Sequence, residues 1–201
     1  MVDLVAFAAL AVWIYLIAAR GDFWLSAERG NQALAPSAWP SVIAVVPARD
    51  EATGVGDTIG SLLRQNYPGS FSVVLVDDQS TDGTAEIVRH AAATAQAADR
   101  LTIVSGAALP GGWTGKLWAM QQGVTQASVR DPKYFLFTDA DIIFRPEALA
   151  RLVAQAEAMQ LVLNSWMVKL RCEALIERAF IPAFIFFFQM LFIISHGNVG
   201  G

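Results

Sequence analysis

Short apolar runs separated by mixed polar stretches organise the middle of this chain, and the residues that close those runs are its most informative feature. Ser41–Val46 leads into Pro47-Ala48-Arg49-Asp50-Glu51, Phe71–Val76 into Asp77-Asp78-Gln79-Ser80, and Tyr134–Thr138 into Asp139-Ala140-Asp141. Each run has the length of a buried strand and ends in charged or polar residues rather than in a tight hairpin turn. Further strands are expected at Leu101–Val104 and Leu161–Trp166. Between the strands the spacing becomes helical. Ile59, Leu62 and Leu63 share one face of a helix near Val55–Gln65, stopped by Asn66-Tyr67-Pro68-Gly69. Helices are also expected near Thr84–Ala98 and Lys116–Ala127, with another opened by Pro146 in its first turn. This alternation predicts an α/β fold with a mostly parallel sheet of right-handed βαβ units. In such a sheet the loops at the carboxyl ends of the strands form the ligand crevice. Three acidic strand ends meeting there predict a site for a metal-bound, phosphate-containing ligand.

The two ends of the chain follow a different pattern. Leu4–Ala19 is almost wholly apolar, with Asp3 before it and Arg20-Gly21-Asp22 after it. Sixteen to eighteen helical residues reach roughly 24–27 Å, close to the hydrocarbon thickness of about 30 Å. No Lys or Arg precedes the run and no small-x-small cleavage site follows it, so a retained transmembrane helix over residues 1–20 is favoured over a signal peptide. Arg20 and Arg29 on the following flank place the next domain on the cytoplasmic side of the inner membrane. Residues 21–40 read as a linker. Near the other end, Ala179–Ile194 carries Pro182 and Gln189 and is short for a span. Its Phe184, Phe186, Phe187 and Phe188 put bulk on every face, which favours a re-entrant or interfacial segment over a one-sided core helix.

Composition narrows the function classes. Among 201 residues the hydrophobic fraction is 55%, the charged fraction 16% and the net charge −4, so a nucleic-acid partner is not expected. The single Cys172 excludes an intrachain disulfide and a cysteine metal cluster. His90 and His196 sit in no ligand pattern, His90 reading as a helix-surface residue.

Phosphate-binding glycine loops fail when tested. Gly111-Gly112-Trp113-Thr114-Gly115-Lys116-Leu117 matches a P-loop only at Gly-Lys, because Pro110 and Leu117 occupy the positions of the early glycine and the hydroxyl residue. Gly54-Val55-Gly56-Asp57-Thr58-Ile59-Gly60 puts its third glycine one position too late for a dinucleotide fingerprint. What remains is Asp139-x-Asp141. Hard anionic oxygens suit Mg²⁺ or Mn²⁺, and residues two apart on an extended chain point to one side. A solvated acidic loop is the plain alternative, weighed down by the agreement of the other strand ends. Ser80, Thr81 or Asp82 can cap the next helix, while a carboxylate of Asp77-Asp78 can accept from a pyrimidine N–H or a ribose hydroxyl. Lys116 can offer its charge to a diphosphate at a helix N-terminus, or be an ordinary solvated lysine.

Taken together and in order, Val46-Pro47-Ala48-Arg49-Asp50-Glu51, Val76-Asp77-Asp78-Gln79-Ser80-Thr81-Asp82-Gly83-Thr84, Trp113-Thr114-Gly115-Lys116-Leu117-Trp118-Ala119 and Thr138-Asp139-Ala140-Asp141 resemble family 2 glycosyltransferases of the GT-A fold. The WTGKLWA stretch and the N-terminal apolar helix look most like the hopene-associated glycosyltransferases, with a looser likeness to ceramide glucosyltransferases. The resemblance implies a Rossmann-like nucleotide-sugar domain over residues 41–166, followed by the start of an acceptor or membrane-associated region over 167–201. It also implies inverting transfer from a nucleotide-sugar, a UDP-sugar first, to a hopanoid-like lipid acceptor. By position, Pro47, Ala48, Arg49 and Glu51 would line the nucleotide, Asp78 would hold the base, and Asp77 beside it would belong to the same nucleotide-sugar site. Lys116 would approach the diphosphate, Asp139 the donor and the metal, and Asp141 the metal. Trp113 and Trp118 would stack on sugar or lipid, or simply pack their own loop.

The family's later motifs, an acidic general base and a Gln/Arg-x-x-Arg-Trp, do not occur. Glu147, Glu157, Glu173 and Glu177 stand in no such context, Glu173 and Glu177 being i, i+4 neighbours of a solvated face. The expectation is a truncated chain that binds donor, whose transfer loses about 10²–10⁴-fold or more without a base, the base lying beyond residue 201. An inactive membrane-bound scaffold is the alternative. A phospho-aspartyl enzyme is disfavoured because Asp139-Ala140-Asp141-Ile142-Ile143 lacks the threonine such enzymes show.

Overall fold

The computed structural model describes residues 2–19, 35–169 and 174–191. Its elements are α1 (Val2–Ala19), β1 (Val42–Ala48), α2 (Val55–Leu63), β2 (Phe71–Asp77), α3 (Thr84–Thr94), β3 (Leu101–Ser105), α4 (Gly115–Ser128), β4 (Tyr134–Phe137), α5 (Ala148–Met159) and α6 (Leu175–Leu191). Leu34–Ala154 forms one compact unit, and α1, the end of α5 and α6 belong to another.

In the Leu34–Ala154 unit, four parallel strands stand in the order β3-β2-β1-β4. The chain runs outward from β1 to β3 and then returns to the other side of β1, which makes the carboxyl ends of β1 and β4 the topological switch point. Alternate residues of the strands feed two cores. Val42, Ala44, Val46, Val73 and Leu75 face α2, α3 and the start of α5 through Ile59, Leu62, Leu63, Val88, Leu149 and Val153. Ile43, Val45, Val74 and Val76 face α4 through Ala119 and Ala127. Because both faces are covered, β1 and β2 read as unbroken apolar runs rather than as alternating ones. Each fully buried Leu or Ile here contributes about 1.5–3 kcal/mol relative to exposure.

The strand and helix expectations hold to within two residues at their ends, with three further differences. Helix α3 stops at Thr94, not Ala98: Gln96 adopts φ 52°, its N–H reaches the Ala93 carbonyl and the Ala97 N–H reaches the Ala92 carbonyl. This is a Schellman stop built on a glutamine instead of glycine. Pro146 lies in the turn before α5 rather than inside it. Leu161–Trp166 is not a strand; it is irregular, with Val162 and Leu163 exposed. An apolar run becomes a strand only by pairing its backbone, and spacing alone does not supply a partner.

In the other unit, α1 is an 18-residue helix whose Leu4, Phe7, Leu10 and Ile14 are exposed. Trp13 stacks on Phe186 of α6 at 6.4 Å between ring centroids. α6 contains Pro182 and exposes Leu175, Ile176, Phe180 and Phe184. Among the described residues no helix is long and apolar enough to cross a membrane, so the expected N-terminal span forms as a helix but is not supported as a crossing. Most of the expected linker, together with Cys172, Glu173 and His196, lies outside the described residues. The linker's end, residues 35–40, packs on the sheet unit, where Trp39 meets Tyr67 edge to face and the Tyr67 hydroxyl donates to the Pro40 carbonyl at 2.5 Å.

Candidate active site

The parallel register brings the predicted residues to one edge. Ala48 pairs with Asp77 and Asp77 with Ser105, so the loops after β1, β2 and β3 leave the sheet side by side. β4 pairs with β1 only as far as Val45, and the Thr138 N–H reaches the Val45 carbonyl. Pro47, two residues further on the same side of β1, has no N–H to offer a continuing neighbour. β4 ends there, and the Asp139 loop parts from β1 at the switch point.

Two backbone features shape the β1 and β2 loops. Asp50 and Gln79 both take positive φ, 53° and 61°. The loops are then laced together. The Asp50 N–H donates to Ser80 Oγ at 3.0 Å, and the Asp50 carboxylate accepts the Thr81 N–H at 2.8 Å. The Glu51 N–H donates to Thr84 Oγ1 and the Ala52 N–H to the Asp82 carboxylate. Asp82 also accepts the Thr84 hydroxyl and N–H, and these bonds, the hydroxyl first, hold its carboxyl below its ordinary pKa of 3.8. Of the three expected capping candidates, only Asp82 reaches the first amide of α3; Ser80 and Thr81 serve the neighbouring loop instead.

Asp78 is recessed, with its side chain 14% exposed. Its N–H donates to the Ala48 carbonyl, and Arg49 reaches its Oδ2 at 3.5 Å. Gly106, which the sequence does not mark, leaves room for it, and Gly115 of the Gly-Lys step adjoins it. A Cβ on Gly106 would come within 3.0 Å of the Asp77 carbonyl and the Asp78 Cα, and one on Gly115 within 3.4 Å of Asp78 Oδ2. Gly106 follows β3 directly, and Gly115 is the first residue of α4. Next to Gly115, Lys116 makes an ion pair with Asp139 at 2.5 Å, both side chains about half exposed. Thr114, the N-cap of α4, makes no side-chain capping bond, so its hydroxyl does not take up a first-turn amide of that helix.

The remaining expectations divide. Pro47 lies in β1, and Ala48 is 3% exposed, so Ala48 contributes a carbonyl to Asp78 and no side-chain surface to a ligand. The Asp77 carboxylate accepts the Ser80 N–H at 3.0 Å and shapes its own loop, leaving Asp78 as the carboxylate at the crevice. Asp139 and Asp141 do not share one extended stretch; β4 ends at Phe137, and Ala140 and Asp141 form a turn. Both carboxylates are nonetheless exposed on either side of Ala140, which is buried at 4%. Trp113 and Trp118 meet edge to face at 5.4 Å, and Trp118 Nε1 donates to the Ala107 carbonyl, so packing of the loop accounts for both. His90 is exposed on α3.

With this edge in place, comparison with known proteins becomes decisive. The sequence profile described as Glycosyl transferase family 2 matches residues 43–199 of the chain. The chain belongs to that family. A 4,4'-diaponeurosporenoate glycosyltransferase of Staphylococcus aureus (strain bovine RF122 / ET3-1) is 34% identical over 116 residues, covering 57% of this chain and 28% of the relative. The corresponding enzyme of strain MRSA252 is 35% identical over 112 residues. This family 2 chain therefore spans little more than a quarter of the length of these relatives. Among solved structures, the mannosyltransferase PcManGT from Pyrobaculum calidifontis, in complex with GDP-Man and Mn²⁺, matches with a TM-score of 0.55 at 24% identity, over 78% of this chain and 44% of that one. The likeness establishes the GT-A type of fold. TarS 1-349 of S. aureus, in complex with UDP-GlcNAc, matches with a TM-score of 0.49 at 25% identity, over 60% and 32%.

Proposed function

We propose that this chain holds the donor site of an inverting glycosyltransferase that takes a sugar from a UDP-sugar and delivers it to a lipid acceptor at a membrane surface. The observation that carries the reading is the adjoining pair of ion pairs, Arg49–Asp78 and Lys116–Asp139, linked through Gly115-Lys116 at the first turn of α4. The recessed Asp78 carboxylate is suited to accept a base N–H. The α4 first turn and Lys116 are suited to a diphosphate, which the helix end and the lysine would neutralise together. Glu51, anchored by its N–H to Thr84, sits beside Arg49 on the nucleotide side of the edge.

Asp139 and Asp141 fit Mg²⁺ or Mn²⁺. They offer two hard anionic donors, and among the described residues no third His, Cys, Asp or Glu joins them in a cluster. Such ions favour one or two carboxylates and keep places for water and phosphate oxygens. When bound, the ion would supply charge neutralisation as the nucleoside diphosphate departs. The Pyrobaculum enzyme, of like fold, carries GDP-Man and Mn²⁺.

A lipid acceptor is supported by the name of the staphylococcal relatives and by the exposed apolar side chains of α1 and α6. The hopanoid-like class, the inner membrane and a cytoplasmic-facing site are part of the same proposal, resting on the motifs and the flanking arginines. Calorimetric titration of UDP with and without Mn²⁺ tests the donor site. Mn²⁺ is expected to tighten UDP binding about tenfold or more, a gain of about 1.4 kcal/mol, and Asp139→Asn/Asp141→Asn to remove that gain. Equal affinity of the folded wild type for UDP and GDP, or none for either, would overturn the reading.

A further inference from the structure

The Asp139–Asp141 turn is exposed, short and outside the sheet pairing, yet a metal site needs its carboxylates held within fractions of an ångström. Its support comes from an unexpected place, the carboxyl end of α2. Gln65 is 7% exposed, and its side-chain amide is fully used. Nε2 donates to the Ser61 carbonyl at 3.1 Å and to the Arg145 carbonyl at 2.8 Å, while Oε1 accepts the Leu149 N–H at 2.9 Å. Two neighbours extend the strap. Ser61 Oγ accepts the Phe144 N–H at 3.0 Å, and the Asn66 N–H donates to the Pro146 carbonyl at 2.7 Å. Ala140 is buried on one side of the acidic turn, and Phe144 packs against the same core on the other.

We infer that Gln65 is a positioning residue for the Asp139–Asp141 turn: it fixes the segment from Arg145 to Leu149, next to the Phe144 amide held by Ser61, so that residues 141–143 span between two anchored points. The inference rests on the donor-site reading for what the turn does, but not for how it is held. A buried amide with both donors and its acceptor engaged tolerates no shift of the segment it ties, because a displaced partner would leave a buried polar group unpaired. Gln65 itself does not reach the crevice. Its contacts are all backbone groups of α2 and of the segment after the turn.

Hydrogen exchange and metal titration on the full chain separate this role from a general loss of stability. In Gln65→Met, which keeps the volume and removes all three bonds, exchange of the amides at 140–145 is expected to accelerate about tenfold or more, with those at 77–84 changing less than about twofold. Mn²⁺ affinity in the presence of UDP, read from the electron paramagnetic resonance of free Mn²⁺, is expected to fall about tenfold while metal-free UDP affinity holds within about twofold. Ser61→Ala, which frees the Phe144 amide and drops a hydroxyl bond to the Thr58 carbonyl within α2, should shift both readouts in the same direction by less and serves if Gln65→Met does not fold. Val88→Ala, a cavity in the same core under α3, is the comparison for stability alone. If Val88→Ala reproduces the exchange pattern, or if metal-free UDP binding falls together with Mn²⁺ binding, Gln65 is a core residue and nothing more. If the wild type shows no Mn²⁺-dependent UDP binding, the donor-site reading fails, and the exchange data alone decide whether the strap holds the turn.

Discussion

Asp50 occupies a conformation that few residues accept, and its side chain explains why an aspartate is there. At φ 53° an L-residue other than glycine is strained, but Asp and Asn offset the strain by bonding nearby backbone. Here the carboxylate takes the Thr81 N–H, and the Asp50 N–H takes Ser80 Oγ. Asp50→Asn keeps the acceptor and the tolerance for positive φ, so it should leave denaturant stability within about 0.5 kcal/mol. Asp50→Ala loses both and should cost about 1–2 kcal/mol in the same measurement. Asp82, in the adjoining lacing, gives a pH signature. Its carboxyl is held below 3.8 in the folded chain, so its contribution is fully present above that value and is lost as pH falls through the folded pKa. Urea melts of the wild type and Asp82→Asn should therefore differ by a constant amount at neutral pH and converge only in acid below pH 3.8. The chemistry-bearing residues of this edge were legible in sequence because strand ends deliver them in order. Their division of labour was not. Asp77 and Asp78 look alike in a string, and only the three-dimensional loop shows that Ser80 claims the first and the crevice the second.

At the scale of elements, strands were the legible part and helix ends the illegible one. β1 and β2 are central strands covered on both faces, so their apolar runs mark their limits closely. The α3 stop at Gln96 carries no glycine and so gave no signal. Gly123 is the counterpart, a glycine whose purpose only packing reveals. A Cβ there would collide with Val45 and meet Val76 at 3.1 Å, because α4 lies directly on the β1–β2 pair at this point. Gly123→Ala gains helix propensity of roughly 1 kcal/mol but must push α4 off the sheet. Overpacking of this kind costs about 1–3 kcal/mol, and the clash is with γ-methyls of buried β-branched valines on two central strands, which have little freedom to turn away, so it should prevail. The expected result is a net loss in chemical denaturation. Since Lys116 rides on the same helix, metal-free UDP affinity should fall with it, which a remote core cavity such as Val88→Ala would not produce.

For the whole molecule, the question is where the apolar excess of the composition resides. The sheet unit absorbs its share in two ordinary cores, whereas α1 and α6 keep large side chains exposed: Leu4 at 76%, Phe7 at 71%, Phe180 at 68%. Helix α1 is apolar around its full circumference, a pattern that suits surroundings apolar on every side rather than the one-faced contact of a surface helix. At about 1.5 Å per residue its 18 residues reach about 27 Å, near the lower limit of a crossing, and the described helices do not meet the combined length and hydropathy that a crossing takes. The exposed apolar side chains of α1 and the chemistry-bearing residues of the sheet edge thus belong to different units of one chain. Flotation with vesicles of phosphatidylglycerol and phosphatidylethanolamine tests the separation. The wild type should float with the vesicles, and replacing Leu4, Phe7, Leu10 and Ile14 together by Gln should leave it in the dense fraction. The same variant should bind UDP with unchanged affinity, because Arg49, Asp78, Lys116 and Asp139 are all positioned by elements of the Leu34–Ala154 unit. A variant that still floats would move the membrane contact to α6, and one that stays dense but loses UDP would show that α1 is needed to fold the donor site.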